Sequence, residues 1–288
     1  MNDTAQETVE QISEADFERF RSLFYRKTGI FFEPSKRYFV DKRLYERMKE
    51  TGHANFRSYF TFMRFQASGE EFQSLVNAMT VNETYFFREH YQFEAMVSCL
   101  MDELSDIRPP GKDLRIWSVP SSTGEEPYSI AIYLLEYWRG LAERDVEIVS
   151  SDIDSRVLEQ AKKGLYSKRS IQNIPAPVVS KYFKKTGNDY QLCDDIRESV
   201  SFCLINILAA KESRSLSRFD LIFCRNLLIY FDDQSRQRAA QVLYDALNPG
   251  GFIFLGHSES MSRICSLFKV RKVGDVIVYQ KPLTGGSR

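Results

Sequence analysis

Phe17, Phe20 and Phe24 recur three and four residues apart behind Ser13, with acidic Glu14 and Asp16 in the first turn. That spacing predicts a helix capped by Ser13. Gly29 closes it, Pro34-Ser35 opens the next, and Gly52 and Gly69 punctuate two more. Residues 13 to 80 therefore read as a small bundle of about four helices, with no strand pattern interrupting them.

The pattern changes after Pro109-Pro110-Gly111. LRIWSV, a helical stretch from about Pro127, VEIVSSD, another helix, FDLIFCRN, a further helix and GGFIFLG follow in order. Short apolar strands alternating with helices are what a parallel sheet covered on both faces requires. The C-terminal part is expected to be a doubly wound α/β domain. Between Tyr182 and Phe202 the alternation fails: YFKK, a TGND turn, YQLC and SVSF suggest three short antiparallel strands with Gly187-Asn188 as the turn, or else an irregular excursion. The expected layout is a helical domain over 1–80, a linker and first helix over 81–110, and an α/β domain over 111–288 with a β-insertion at about 180–203.

Lys+Arg and Asp+Glu both number 39, so no global field draws the chain to nucleic acid or an acidic membrane. Local charge is uneven: residues 1–18 carry six acidic and no basic side chains, whereas residues 19–64 carry 12 basic and four acidic. Five scattered cysteines without CxxC spacing and three histidines suggest neither a zinc site nor a disulfide framework. The start lacks a basic then apolar leader pattern, and no apolar run reaches the roughly 18 residues that span a bilayer. A cytoplasmic protein in a reducing compartment, without direct membrane insertion, is the expectation.

In an open α/β sheet ligands sit beyond the carboxyl ends of the strands. After the first strand comes Pro120-Ser121-Ser122-Thr123-Gly124-Glu125-Glu126-Pro127, which is not GxGxxG. Glu125 and Glu126 would repel a pyrophosphate but suit a ligand carrying positive charge; they also fit the helix dipole alone. Asp152, ending VEIVSSD, is placed to accept the two hydroxyls of a ribose. Arg225 and Asn226 end the FDLIFCRN strand, and Tyr230 is either a phenol beside the reacting centre or a packed aromatic.

NETYFFRE at 82–89, STGEEPYSIA at 122–131, SSDIDSRVLEQA at 150–161, FCRNLLIYF at 223–231 and GGFIFLGHSES at 250–260 together resemble the CheR chemotaxis methyltransferase family in order and spacing. The resemblance implies a Rossmann-like S-adenosylmethionine methyltransferase domain behind an all-helical domain, with S-adenosylhomocysteine as product. It implies cofactor contacts from Asn82, Thr84, Arg88, Glu126, Asp152, Asn206, Cys224 and Arg225, with Arg88 and Tyr230 nearest the transferring methyl. Val119-Pro120-Ser121 departs from the small residues or glycine usual there, and Pro120 removes an amide donor.

The implied reaction is O-methylation of glutamate side chains on the cytoplasmic helices of chemoreceptors. A glutamate carboxylate is already ionised near pH 7, which agrees with a sequence that shows no Ser/His/Asp or Cys/His arrangement. Lys36, Arg43 and Arg47, at i, i+7 and i+11, are expected on one face of the second helix, where an acidic receptor helix would dock or where the charges are simply solvated. The β-insertion resembles the family's tethering subdomain, which in some members binds a receptor C-terminal peptide. A monomer that binds no nucleic acid is expected. The competing readings are a methyltransferase for a small molecule or nucleic acid, and a non-catalytic adaptor.

Overall fold

The computed structural model describes residues 11–209 and 218–283. The chain divides into two compact units, Met1–Val81 and Asn82–Arg288. No helix among the described residues is long and apolar enough to cross a membrane.

The first unit holds α1 (Glu14–Thr28), α2 (Arg37–Glu50), α3 (Phe56–Phe65) and α4 (Glu70–Met79). Ser13 caps α1 as expected: its Oγ accepts the Asp16 amide at 3.1 Å, and Gly29 ends the helix in the left-handed conformation. Phe17, Phe20 and Phe24 are buried on one face, and the Phe24 ring packs 5.4 Å from Phe20 and 6.0 Å from Phe72 of α4. Each such ring contributes roughly 1.5–3 kcal/mol by leaving water. A polar knot sits within this core. Glu71 is buried and accepts the Tyr59 hydroxyl at 2.7 Å and the Arg47 guanidinium at 2.6 and 3.0 Å.

The second unit opens with α5 (His90–Ala95), a π-helical turn at Met96–Leu100 and α6 (Met101–Ile107). Then come β1 (Leu114–Ser118), α7 (Glu125–Tyr137), β2 (Val146–Asp152), α8 (Ser155–Lys163), β3 (Leu165–Ser167), α9 (Ala176–Tyr182), β4 (Phe183–Thr186), β5 (Asp189–Leu192), α10 (Asp194–Glu198) and β6 (Val200–Leu204). The unit ends with β7 (Phe219–Cys224), α11 (Asp233–Ala246), β8 (Leu247–Leu255), β9 (Lys269–Val273) and β10 (Val276–Gln280).

The main sheet has the order β6-β2-β1-β7-β8-β10-β9, parallel from β6 to β8 and antiparallel at β10 and β9. This is the doubly wound, Rossmann-like arrangement. Every residue of β7 is buried, which explains a strand that is apolar but for Asp220, whose carboxylate is paired with Arg108. α7 begins at Glu125, two residues before the expected start, because Pro127 within the first turn gives up an amide that has no partner in the helix anyway.

The small sheet differs from expectation in one strand. The hairpin β4–β5 forms with Gly187 at φ 63 in its turn, but the third strand is β3, in the order β3-β5-β4. Val200–Leu204 instead pairs parallel with β2, from Ile148↔Val200 to Asp152↔Leu204. As a half-buried strand at the edge of the main sheet it shows the same alternation a small-sheet strand would show, so periodicity could not separate the two.

Candidate active site

β1 is flanked by β2 on one side and β7 on the other, and chain direction through the sheet reverses there. The crevice beyond the carboxyl ends of these strands is where ligands enter such folds. The turn leaving β1 is held from several sides. Ser121 and Ser150 hydroxyls meet at 2.7 Å, the Trp117 indole donates to Ser151 Oγ at 2.9 Å, and Gly124 lies at φ 94 with α8 and α7 pressed against it. A Cβ at Gly124 would come within 2.9 Å of both the Ala161 Cβ and the Tyr128 ring, so only glycine fits.

Asp152, at the end of β2, is buried. Its carboxylate accepts the Ser122 amide at 2.8 Å and the Asp154 amide at 2.9 Å. Burial pushes its pKa up to about 6, with those amides pulling the other way. Asp154, two residues on, caps α8 by accepting the Arg156 and Val157 amides and also accepts the Asn82 side chain at 3.0 Å. The Asn82 carbonyl in turn accepts the Ser122 hydroxyl at 3.1 Å. Asn206 follows β6, alongside the end of β2: the Ile205 amide donates to the Asp152 carbonyl, and Asn206 Oδ1 accepts the Leu208 amide at 3.0 Å. Thr84 lies half-buried in the segment that follows Asn82.

A second cluster centres on Arg225, whose side chain is only 2% exposed. It pairs with Glu126 at 3.2 Å and Glu89 at 3.4 Å, donates to the Arg88 carbonyl at 2.6 Å, and lies 5.5 Å from the Phe93 ring centre. Glu126 also accepts the Ser118 hydroxyl at 2.8 Å, and burial lifts its pKa to about 7 against the pull of Arg225. Its neighbour Glu125 turns elsewhere, accepting the Thr123 and Ser170 hydroxyls at 2.6 and 2.8 Å. The two adjacent carboxylates thus divide between structure and crevice. Cys224 is wholly buried in β7, where burial and the nearby Glu259 and Glu126 charges drive its thiol well above the usual range.

Arg88 donates to the Glu83 carbonyl at 3.2 Å and lies 5.9 Å from the Tyr85 ring centre, with no carboxylate within salt-bridge distance among the described residues. Tyr230 is half-buried; burial raises its phenol pKa and the field of Arg88 lowers it, so the two side chains lie close enough to feel each other. Sequence reasoning missed Glu259, Glu89 and Asp154. Glu259 lies in GGFIFLGHSES, Asp154 in SSDIDS and Glu89 in NETYFFRE, and the signal in the first two is an acidic residue within four positions of a strand's carboxyl end.

Lys36, Arg43 and Arg47, the three basic residues expected on one face of the second helix, do not form one free face. Lys36 precedes α2 and is exposed, Arg43 pairs with Glu46 at 2.8 Å and lies 5.4 Å from the Phe39 ring centre, and Arg47 is turned to buried Glu71 and to Glu50.

Residues 82–277 match the family model described as CheR methyltransferase, SAM binding domain, and residues 15–80 that described as CheR methyltransferase, all-alpha domain. The chain belongs to the CheR methyltransferase family. Chemotaxis protein methyltransferase 2 of Vibrio cholerae is 54% identical over 277 residues, 96% of each chain. The enzyme of that same name from Pseudomonas aeruginosa is 39% identical over 266 residues, 91% of each chain. The chemotaxis protein methyltransferase of Escherichia coli is 33% identical over 264 residues, covering 90% of this chain and 89% of its own. This CheR-family chain is therefore an S-adenosylmethionine-dependent methyltransferase of chemotaxis. The donor set suits that cofactor: Asp152 offers an acceptor-only carboxylate for ribose hydroxyls, and the Glu126 and Glu89 carboxylates favour a sulfonium while repelling a pyrophosphate.

Proposed function

We propose that the enzyme methylates glutamate side chains on the cytoplasmic helices of chemoreceptors, forming methyl esters. The observation that carries this reading is Arg88: a half-buried guanidinium without a carboxylate partner among the described residues, whose field reaches the Tyr230 phenol. Such a fork suits an incoming carboxylate, which it can hold in a bidentate pair.

When bound, S-adenosylmethionine supplies a methyl group activated by a positive sulfonium. Asn82, Thr84, Glu126, Asp152, Asn206, Cys224 and Arg225 are assigned to holding it: Asp152 takes the ribose, and Glu126, kept in place by Arg225 and Ser118, lies towards the positive end. Arg88 orients the acceptor carboxylate. Tyr230, a phenol that burial keeps far from ionising, donates its hydroxyl to one acceptor oxygen, and the other attacks through the lone pair that Arg88 does not use. The acceptor is ionised at neutral pH, so no side chain has to remove a proton. Alignment and exclusion of water remain as the enzyme's task, and such positioning contributes on the order of several kcal/mol.

On the helical unit, Lys36 and Arg43 are assigned to docking an acidic receptor helix, with Arg47 supporting them from its anchor on Glu71. On the small sheet, the outer strand β4, with exposed Lys184 and Lys185, offers an edge to which a receptor peptide can add. Transfer of labelled methyl from S-adenosylmethionine to a purified cytoplasmic fragment of a chemoreceptor from the host organism tests the whole reading. Label released as methanol by mild alkali supports it, and label stable to alkali, or no transfer, overturns the glutamate assignment.

A further inference from the structure

Among the groups the mechanism does not use, Glu259 stands out by what it holds. One oxygen accepts the Asn226 amide at 2.7 Å and the Gly256 amide at 2.9 Å; the other accepts the Leu228 amide at 2.8 Å, and the Ile229 amide adds to them. Two loops, one leaving β7 and one leaving β8, therefore converge on a single carboxylate. The loop from β7 needs such a clamp. Asn226 sits at φ 58, a left-handed conformation that asparagine tolerates better than other residues with a Cβ but does not enforce, and it directly follows Arg225, which is itself fixed by Glu126 and the Arg88 carbonyl. Nor is there slack behind it: a Cβ on Gly256 would lie 2.9 Å from the Asn226 side-chain nitrogen and 3.0 Å from Glu259 Oε2.

We infer that Glu259 is a positioning residue for methyl transfer, fixing residues 226–230 so that Tyr230 stands at a constant distance from the acceptor. The inference rests on the role given to Tyr230 above. An acceptor-only carboxylate is required because every group pointing at it is a donor. Glutamine would turn its own N–H groups towards at least one backbone amide, and aspartate would fall short of both loops at once. The cofactor residues hang on other bonds: Asp152 on the Ser122 and Asp154 amides, and Arg225, at the end of β7, on Glu126 and the Arg88 carbonyl rather than on Glu259.

The test compares wild type with Glu259→Gln, Glu259→Asp, Gly256→Ala and Tyr230→Phe. Turnover is measured on the receptor fragment per active site, counted by S-adenosylhomocysteine binding, so that loss of folded protein does not register. Hydrogen exchange of the Asn226, Leu228 and Gly256 amides reports the clamp directly. Expected are a 10- to 100-fold fall in kcat for all three clamp variants, S-adenosylhomocysteine affinity within threefold of wild type, and faster exchange of the three amides. Gly256→Ala keeps the carboxylate and so separates loop geometry from loss of charge. Unchanged kcat in Glu259→Gln, or cofactor affinity falling in step with kcat, would overturn the inference. A wild-type enzyme that labels no fragment, or a fully active Tyr230→Phe, points instead to failure of the functional reading.

Discussion

The Arg225 guanidinium donates to the main-chain oxygen of Arg88 at 2.6 Å across 137 residues of sequence. One buried cation thereby joins the end of β7 to the segment that carries Arg88, and its other bonds hold Glu126 and Glu89. Removing it leaves two carboxylates without their counter-charge.

Arg225→Ala is accordingly expected to destabilise the protein by about 3–5 kcal/mol, and Arg225→Lys by a smaller amount, since a single ammonium cannot reproduce the fork. Urea unfolding, read as a shift in midpoint at constant slope, measures both. A midpoint within error of wild type for Arg225→Ala would mean that the network contributes nothing to folding.

Asp152→Asn preserves shape but sets an amide nitrogen against the Ser122 or Asp154 backbone N–H. S-adenosylhomocysteine affinity should fall at least tenfold, about 1.4 kcal/mol, by calorimetry. Asp152→Ala should bind more weakly still, and wild-type affinity in either variant removes Asp152 from the cofactor site.

Two carboxyls raised by burial, Asp152 to about 6 and Glu126 to about 7, give a pH dependence of definite sign. In the unfolded chain both titrate near 4, so between roughly pH 4 and 7 the folded state binds more protons. Their contribution to ligand-free stability is fully present below about pH 4 and is lost as pH rises through 6 and 7. Cofactor binding, which uses the ionised forms, has the opposite sign and strengthens over the same interval. Urea midpoints and S-adenosylhomocysteine affinities from pH 5 to 8 check both slopes, and in Asp152→Asn both should flatten.

In the helical unit, folding and docking are expected to separate. Arg47→Ala strands buried Glu71 and should cost about 3–5 kcal/mol, and Tyr59→Phe about 1 kcal/mol. Lys36→Glu and Arg43→Glu should leave the unfolding midpoint nearly unchanged and raise KM for the receptor fragment several-fold at constant kcat. Equal KM for all four variants would remove this surface from receptor recognition.

Elements with strong periodicity were legible from residues alone: α1 with its Ser13 cap and Gly29 stop, the buried strand FDLIFC, and the hairpin turning at Gly187. The edge strand Val200–Leu204 was assigned to the wrong sheet, because a pairing partner 52 residues earlier, Ile148 for Val200, leaves no mark on local alternation. Helical spacing put Arg43 and Arg47 on a common face but could not say that Arg47 is spent on Glu71, a contact made between helices. At the crevice, strand ends pointed to Asp152 and Arg225. The adjacent Glu125 and Glu126 looked equivalent, and only the positions of Ser170 and Arg225 tell them apart.

Asn82 is the first residue of the second unit, and it is bonded through its side chain to Asp154 and through its carbonyl to Ser122. The turn after β1 and the cap of α8 after β2 are thus both tied to the residue that opens the unit. The segment carrying Thr84 and Arg88 therefore starts from a pinned point rather than a free end, and the one residue Asn82 sets where both of those side chains begin.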